Sequence, residues 1–65
     1  MKHDVNNPVI LDIKAYILNL ANADYDFYSG RIFSGILLLE RLTGKEWYCY
    51  RNNDTNEWIL DFEEE

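Results

Sequence analysis

The chain has 65 residues, enough for one small domain, and a formal net charge of −6 from twelve acids and six bases. This acidic balance argues against direct nucleic-acid binding, which needs a basic surface. With one cysteine and one histidine, the chain cannot form an internal disulfide or a zinc site built from Cys and His ligands.

The first predicted element is a helix over residues 8 to 22. Asn7 followed by Pro8 is a typical helix start, because an asparagine side chain caps free N–H groups and proline tolerates the first helical position. Apolar residues then recur at helical spacing: Ile10, Ile13, Ile17, Leu20 and Ala21. Residues 1 to 6 show no such pattern, and we expect them to be frayed.

A second helix is predicted to end before Gly44. We prefer a start capped by Asp24 or Asp26; the alternative is a start near Ser29, with residues 24 to 28 as a separate turn. The predicted apolar face consists of Tyr25, Tyr28, Ile32, Phe33, Ile36, Leu37 and Leu39.

This helix contains the echo YSGRIFSG, in which an aromatic residue is twice followed by Ser-Gly. A nucleotide-binding loop of Walker type would need a preceding strand and a Gly-Lys-Ser/Thr ending, and the stretch has neither. We interpret Ser29 and Gly35 instead as small residues that let the two helices approach closely.

After Gly44 the hydrophobic period changes to two, which predicts strands over residues 45 to 51 and 57 to 62. A two-residue turn at Asn53 and Asp54 would place Cys49 opposite Trp58. One face of this hairpin then carries the apolar residues that the helices cover: Trp47, Cys49, Trp58, Leu60 and Phe62. The predicted fold is α+β: one domain over residues 1 to 65, with a helical hairpin packed on a C-terminal two-stranded antiparallel β-hairpin (ααββ).

The opposite hairpin face is the predicted partner-binding surface, because it combines tyrosines, which protein interfaces favour, with carboxylates. The predicted partner-binding residues are Tyr48, Tyr50, Glu57, Ile59, Asp61 and Glu63. Carboxylates on alternate strand residues are about 6.6 Å apart and can imitate a nucleic-acid backbone. Residues 54 to 65 hold six acids and no base, so the net charge resides there. Residues 63 to 65 form an acidic tail, either functional or solubilising.

A second contact surface is indicated by three residues that fit their helices poorly. Leu38 falls outside the apolar face, whereas Lys14 and Glu40 are charges inside apolar arcs. The two charges either pair between the helices, extend to water at the core edge, or belong to an interface. We predict all three as oligomer contacts.

We therefore expect a protein-interaction module and not an enzyme, with no metal and no cofactor. Its expected partner is a nucleic-acid-handling protein with a basic surface, which it binds and inhibits. A composition rich in Asn, Tyr and Ile, as AT-rich genomes encode, favours a phage or mobile-element origin and a host partner. The alternative is a self-associating accessory subunit, a homodimer or larger. The single cysteine, the absence of a signal-peptide pattern and the lack of a membrane-length apolar run predict a cytoplasmic protein that is not in the membrane.

Overall fold

The computed structural model describes residues 2–63 and confirms the α+β fold, with two helices followed by an antiparallel β-hairpin. The elements are α1 (Pro8–Asp24), α2 (Ser29–Thr43), β1 (Glu46–Asn52) and β2 (Glu57–Glu63). Helix α1 packs on β2 and α2 packs on β1, which makes two layers. Glu64 and Glu65, part of the predicted acidic tail, lie outside the described residues.

The core lies between the two helices and the inner face of the hairpin, which we define as the face turned toward them. Its buried apolar residues are Ile10, Ile17, Ala21, Ile32, Leu39, Trp47 and Leu60. Half-buried Cys49, Trp58 and Phe62 complete the inner face. The residues predicted to face the helices therefore do so.

Helix α1 begins as predicted and ends two residues later than predicted. The Asn7 side chain accepts a hydrogen bond from the Val9 N–H at 2.9 Å, which caps the helix directly before Pro8. At the other end, α1 continues to Asp24, because residues 22 to 24 contain neither glycine nor proline to stop it.

The segment before α1, which we expected to be frayed, makes specific contacts with the end of α2. The His3 N–H donates to the Leu42 carbonyl at 2.7 Å, and the Lys2 ammonium donates to the Arg41 carbonyl at 3.1 Å. The Val5 side chain packs against the core. These contacts satisfy carbonyls that the C-terminal turn of a helix leaves without helical partners.

The preferred prediction for the start of α2 is wrong, and the alternative start near Ser29 is confirmed. The Asp24 carboxylate accepts a hydrogen bond from the Phe27 N–H at 3.1 Å, and the Asp24 carbonyl accepts one from the Tyr28 N–H at 3.1 Å. Asp24 thus stabilises the connecting turn instead of capping a helix. Helix α2 then begins without a side-chain cap.

The buried face of α2 also differs from the prediction. Phe33 and Leu37, both expected in the core, are 64% and 39% exposed. Gly35 points at the other helix instead, and a Cβ added there would lie 2.8 Å from the Ile17 side chain. This close approach turns the stripe of Ile32, Gly35 and Leu39 inward and leaves Phe33 and Leu37 outside.

The interpretation of the YSGRIFSG echo is therefore confirmed for Gly35 and wrong for Ser29. Ser29 is exposed, and a Cβ added at its neighbour Gly30 would meet no atom within 4 Å. Of the two glycines in the echo, only Gly35 lies in the contact between the helices.

The predicted hairpin register is wrong by two residues. Cys49 pairs with Leu60 instead of Trp58, because the strands are joined by a four-residue loop, residues 53 to 56. The Asn52 side chain accepts a hydrogen bond from the Asp54 N–H at 2.9 Å, and Asn56 adopts the left-handed conformation with φ 61°. Such local side-chain bonds favour the longer loop. Because the shift is even, no side chain changes face.

A buried hydroxyl joins the end of α2 to the start of β1. The Thr43 hydroxyl donates to the Leu39 carbonyl at 2.6 Å and accepts from the Trp47 indole N–H at 2.8 Å. Gly44 follows in the left-handed conformation with φ 71°, which reverses the chain over two residues. The large Trp47 side chain therefore reaches the core without leaving its N–H unsatisfied.

We predict that Thr43→Val lowers the free energy of unfolding by about 1–3 kcal/mol, because it leaves the buried Trp47 N–H without an acceptor. Thr43→Ser keeps the hydroxyl and should cost clearly less. Urea unfolding followed by tryptophan fluorescence measures both. Equal effects of the two substitutions would contradict a role for the hydrogen bond.

The two glycines of the echo provide a matched pair. Gly30→Ala should raise the free energy of unfolding by about 0.4–1 kcal/mol, because the site is open and alanine restricts the unfolded chain. Gly35→Ala should lower it by about 1–3 kcal/mol, because the new methyl group meets the buried Ile17. Thermal unfolding compares the two, and the same sign for both would contradict the helix contact.

Candidate partner-binding surface

The candidate site is the outer face of the hairpin, the face turned away from the helices. It carries Glu46, Tyr48 and Tyr50 from β1, and Glu57, Ile59, Asp61 and Glu63 from β2. The register makes four cross-strand pairs on it: Glu46 with Glu63, Tyr48 with Asp61, Tyr50 with Ile59, and Asn52 with Glu57. All six predicted partner-binding residues therefore share one surface.

The carboxylates are not spread evenly over this face. Glu46, Asp61 and Glu63 lie with Tyr48 at the end of the hairpin away from the loop, and we call these four residues the acidic end. Glu57 pairs with Asn52 beside the loop, at the opposite end of the hairpin. The predicted partner-binding set omitted Glu46, because its importance comes from the register that places it opposite Glu63.

The centre of the outer face is aromatic. The rings of Tyr48 and Tyr50 stack with centroids 5.8 Å apart and an interplanar angle of 26°. The two side chains are 42% and 43% exposed, and Ile59 beside them is half-buried. Their ring faces and hydroxyl groups therefore remain available for contact with another molecule.

The field of the acidic end acts on Tyr48. Partial desolvation raises the pKa of its hydroxyl above the ordinary 10.0, and negative charge at Asp61, Tyr50 and Glu63 raises it further. A phenol near carboxylates keeps its proton, since ionisation would add a like charge. Tyr48 is accordingly a hydrogen-bond donor throughout the physiological pH range.

The three predicted oligomer contacts do not lie on one surface. Leu38 is 44% exposed and lines an open groove of about 600 Å³ between α1 and α2. Its other lining residues are Asp12, Ile13, Tyr16, Gly30, Arg31, Ser34 and Gly35. Glu40 lies beside β1 instead, where its carboxylate accepts a hydrogen bond from the backbone N–H of Trp47 at 3.2 Å. Lys14 is half-buried on α1 and is not part of the groove lining.

Two further observations on residues 2–63 concern metal ligands and the cysteine. No three side chains among His, Cys, Asp and Glu come together there as metal ligands. Cys49 is half-buried on the inner face, and burial raises the pKa of its thiol, which disfavours the nucleophilic thiolate.

Comparison of the chain with models of protein families, with curated proteins and with solved structures found no match. Neither helix of the described chain has the length and the apolarity that crossing a bilayer requires. The geometry of the outer face is therefore the main guide to function.

We predict that Asp61→Asn lowers the pKa of Tyr48 toward 10.0, because it removes one of the neighbouring charges. Asparagine keeps the side-chain oxygen that accepts the Phe62 N–H, so the strand should be undisturbed. A pH titration of the tyrosine ring carbons by NMR measures the change. Asp54→Asn, in the loop, is the control, and an equal effect of both would contradict a local field.

Proposed function

We propose that this chain is a protein-interaction module whose outer face binds a basic surface of a nucleic-acid-handling protein and inhibits it by competing with nucleic acid. The observation that carries the proposal is the acidic end, above all the Glu46–Glu63 pair. Side chains of equal charge directly opposite each other on adjacent strands destabilise a sheet. A hairpin selected for stability alone would place opposite charges there.

Binding of a basic partner would remove the repulsion between Glu46 and Glu63, and this relief favours the complex. Lysine or arginine side chains placed over the acidic end relieve the repulsion and form charge-assisted hydrogen bonds with the carboxylates. Such complementarity also speeds the encounter and makes it dependent on salt. The interaction should therefore weaken as ionic strength rises.

The tyrosines add contacts that charge alone does not provide. A cation over the ring of Tyr48 or Tyr50 gains a cation–π interaction, and each hydroxyl can donate a hydrogen bond. Tyrosine is among the residues that contribute most to binding at protein interfaces. An aromatic centre next to the acidic end thus suits the binding of arginine or lysine side chains.

Competition with nucleic acid follows from the same chemistry. Surfaces that bind nucleic acid do so chiefly through lysine and arginine contacts to phosphates. A rigid sheet that presents several carboxylates can occupy those cations. The composition typical of an AT-rich genome supports a phage or mobile-element origin, and with it a host protein as the partner.

We predict that Glu63→Lys stabilises the fold and abolishes binding. A cation opposite Glu46 replaces repulsion with attraction and should raise the free energy of unfolding by about 0.5–1 kcal/mol. The same change breaks up the acidic end. Asp54→Lys, in the loop, makes an equal change in net charge away from it and should affect neither property.

Urea unfolding measures the stability, and pull-down from a bacterial lysate at low and moderate salt, read by mass spectrometry, measures the binding. Support requires a basic nucleic-acid-binding protein that the wild type and Asp54→Lys retain, that Glu63→Lys loses, and that added DNA displaces. Equal retention by all three proteins would contradict the proposal. Recovery of the chain alone, at a fixed stoichiometry at both salts, would favour self-association.

A further inference from the structure

We propose that the partner is held as an extended strand added to the open edge of β1, with basic residues beside Tyr48 and Tyr50 and apolar residues beneath α2. This inference rests on the proposed function and specifies how the outer face engages its partner. A two-stranded sheet has two free edges, either of which can template another strand. The two edges of this hairpin are not equivalent.

The edge of β2 is obstructed at two of its three outward N–H groups, those on either side of Leu60. The Trp58 N–H donates to the Asn22 side chain of α1 at 2.9 Å, and the Phe62 N–H donates to the Asp61 carboxylate at 2.8 Å. The Trp58 ring also stacks on Tyr25, with centroids 4.1 Å apart. An incoming strand would have to break both hydrogen bonds, so pairing at β2 is disfavoured.

Along the edge of β1, the first N–H that points away from β2 already has a partner, and the next two are open. The backbone N–H of Trp47 donates to the Glu40 carboxylate, so the backbone N–H of this residue points away from β2. Along an antiparallel strand this direction recurs at every second residue, so the N–H groups of Cys49 and Arg51 point the same way. Within residues 2–63 neither of them donates a hydrogen bond. Two consecutive ladder positions are thus ready to pair.

Helix α2 carries two exposed apolar side chains on the same side as Glu40. Phe33 and Leu37 precede Glu40 by seven and three residues, so helical spacing places all three on one side of the helix, and Glu40 contacts the edge of β1 from that side. Because the chain reverses at Gly44 and α2 packs on β1, we infer that β1 runs back beneath α2, with Phe33 and Leu37 beyond Glu40 toward Arg51. Their exposure leaves an apolar surface that an added strand would cover.

The width of the helices disfavours a second copy as the occupant. Packed helices are about 8–10 Å apart, whereas neighbouring strands are about 4.8 Å apart, so two helices overhang a two-stranded sheet on both sides. Antiparallel pairing of β1 with β1 of a second copy keeps both helical layers on the same face. At these spacings the two α2 helices would compete for the space above the paired strands. The occupant must be an extended segment without a helix above it.

Charge determines the chemistry of that segment. Side chains on one of its faces continue the outer face, beside Tyr48 and Tyr50 and near the carboxylates of Glu46 and Asp61. Lysine or arginine is complementary there. Side chains on its other face lie beneath Phe33 and Leu37 and should be apolar. The occupant is therefore a partner segment in which basic and apolar residues alternate.

The test uses an acetylated and amidated peptide in which lysine and valine alternate. Its length is about seven residues, which is typical of a strand. Binding to the ¹⁵N-labelled full chain at low salt should slow hydrogen exchange of the Cys49 and Arg51 amides at least tenfold. The Trp47 and Trp58 amides, which already donate hydrogen bonds, should change little. A peptide alternating glutamate and valine should not bind.

A matched pair of variants isolates the edge. Arg51→Pro removes an N–H that does not face β2, a position where an edge strand accepts proline. It should weaken peptide binding at least tenfold, whereas Arg51→Ala keeps the N–H and should change binding less than threefold. Circular dichroism and the amide spectrum verify that both variants fold.

The failure of this inference differs from the failure of the proposed function. Suppose that Arg51→Pro and Arg51→Ala bind the peptide equally and that the NMR chemical shifts of Tyr48 and Tyr50 change on binding. This result would overturn strand addition and leave the proposed function standing. Strand addition would also be overturned, and the proposed function would stand, if the lysine–valine peptide does not bind while the chain still retains its partner protein from the lysate. Binding of the glutamate peptide would overturn the charge assignment. Protection of Cys49 and Arg51 without peptide, in a dimer detected by sedimentation, would show that a second copy takes the edge.

Discussion

The bond between the Trp47 indole and the buried Thr43 hydroxyl determines how the two layers of this small domain fit together. It lies at the only short reversal between the helical half and the strand half of the described chain, and it holds the first large residue of β1 in the core. Strand direction, inner face and outer face follow from that anchor, because side chains alternate along a strand. The acidic end and the open edge of β1 are thus positioned by a contact on the opposite side of the sheet.

Periodicity in the sequence was sufficient to predict the two faces of the hairpin, since alternation depends only on which residues are apolar. The register was not predictable in this way. It depends on hydrogen bonds within an asparagine-rich loop, where the Asn52 side chain and the left-handed Asn56 favour four residues over two. The rotation of α2 was missed for a similar reason, because it follows from one close contact between Gly35 and Ile17.

The candidate site was predictable in composition but not in arrangement. The spacing of its tyrosines and carboxylates alone predicts that they share one face. Their grouping into an acidic end required the observed pairing of Glu46 with Glu63. Glu40 illustrates the same limit: the sequence leaves open whether this acid pairs with Lys14, extends to water or belongs to an interface, and the structure gives its carboxylate the Trp47 backbone N–H as a partner.

The concentration of charge at the C-terminal end of the sequence has a consequence for motion in solution. Residues 1 to 53 carry equal numbers of acids and bases, while the whole net charge of −6 lies in residues 54 to 65. Among the described residues of this stretch, Glu57, Asp61 and Glu63 lie on the outer face, away from the helices, so the charge is asymmetric across the two layers and gives the domain an electric dipole. In the field of a positively charged body such a dipole rotates before contact, so the outer face tends to arrive first. Orientation then precedes recognition, and a small protein needs fewer collisions to find its productive pose.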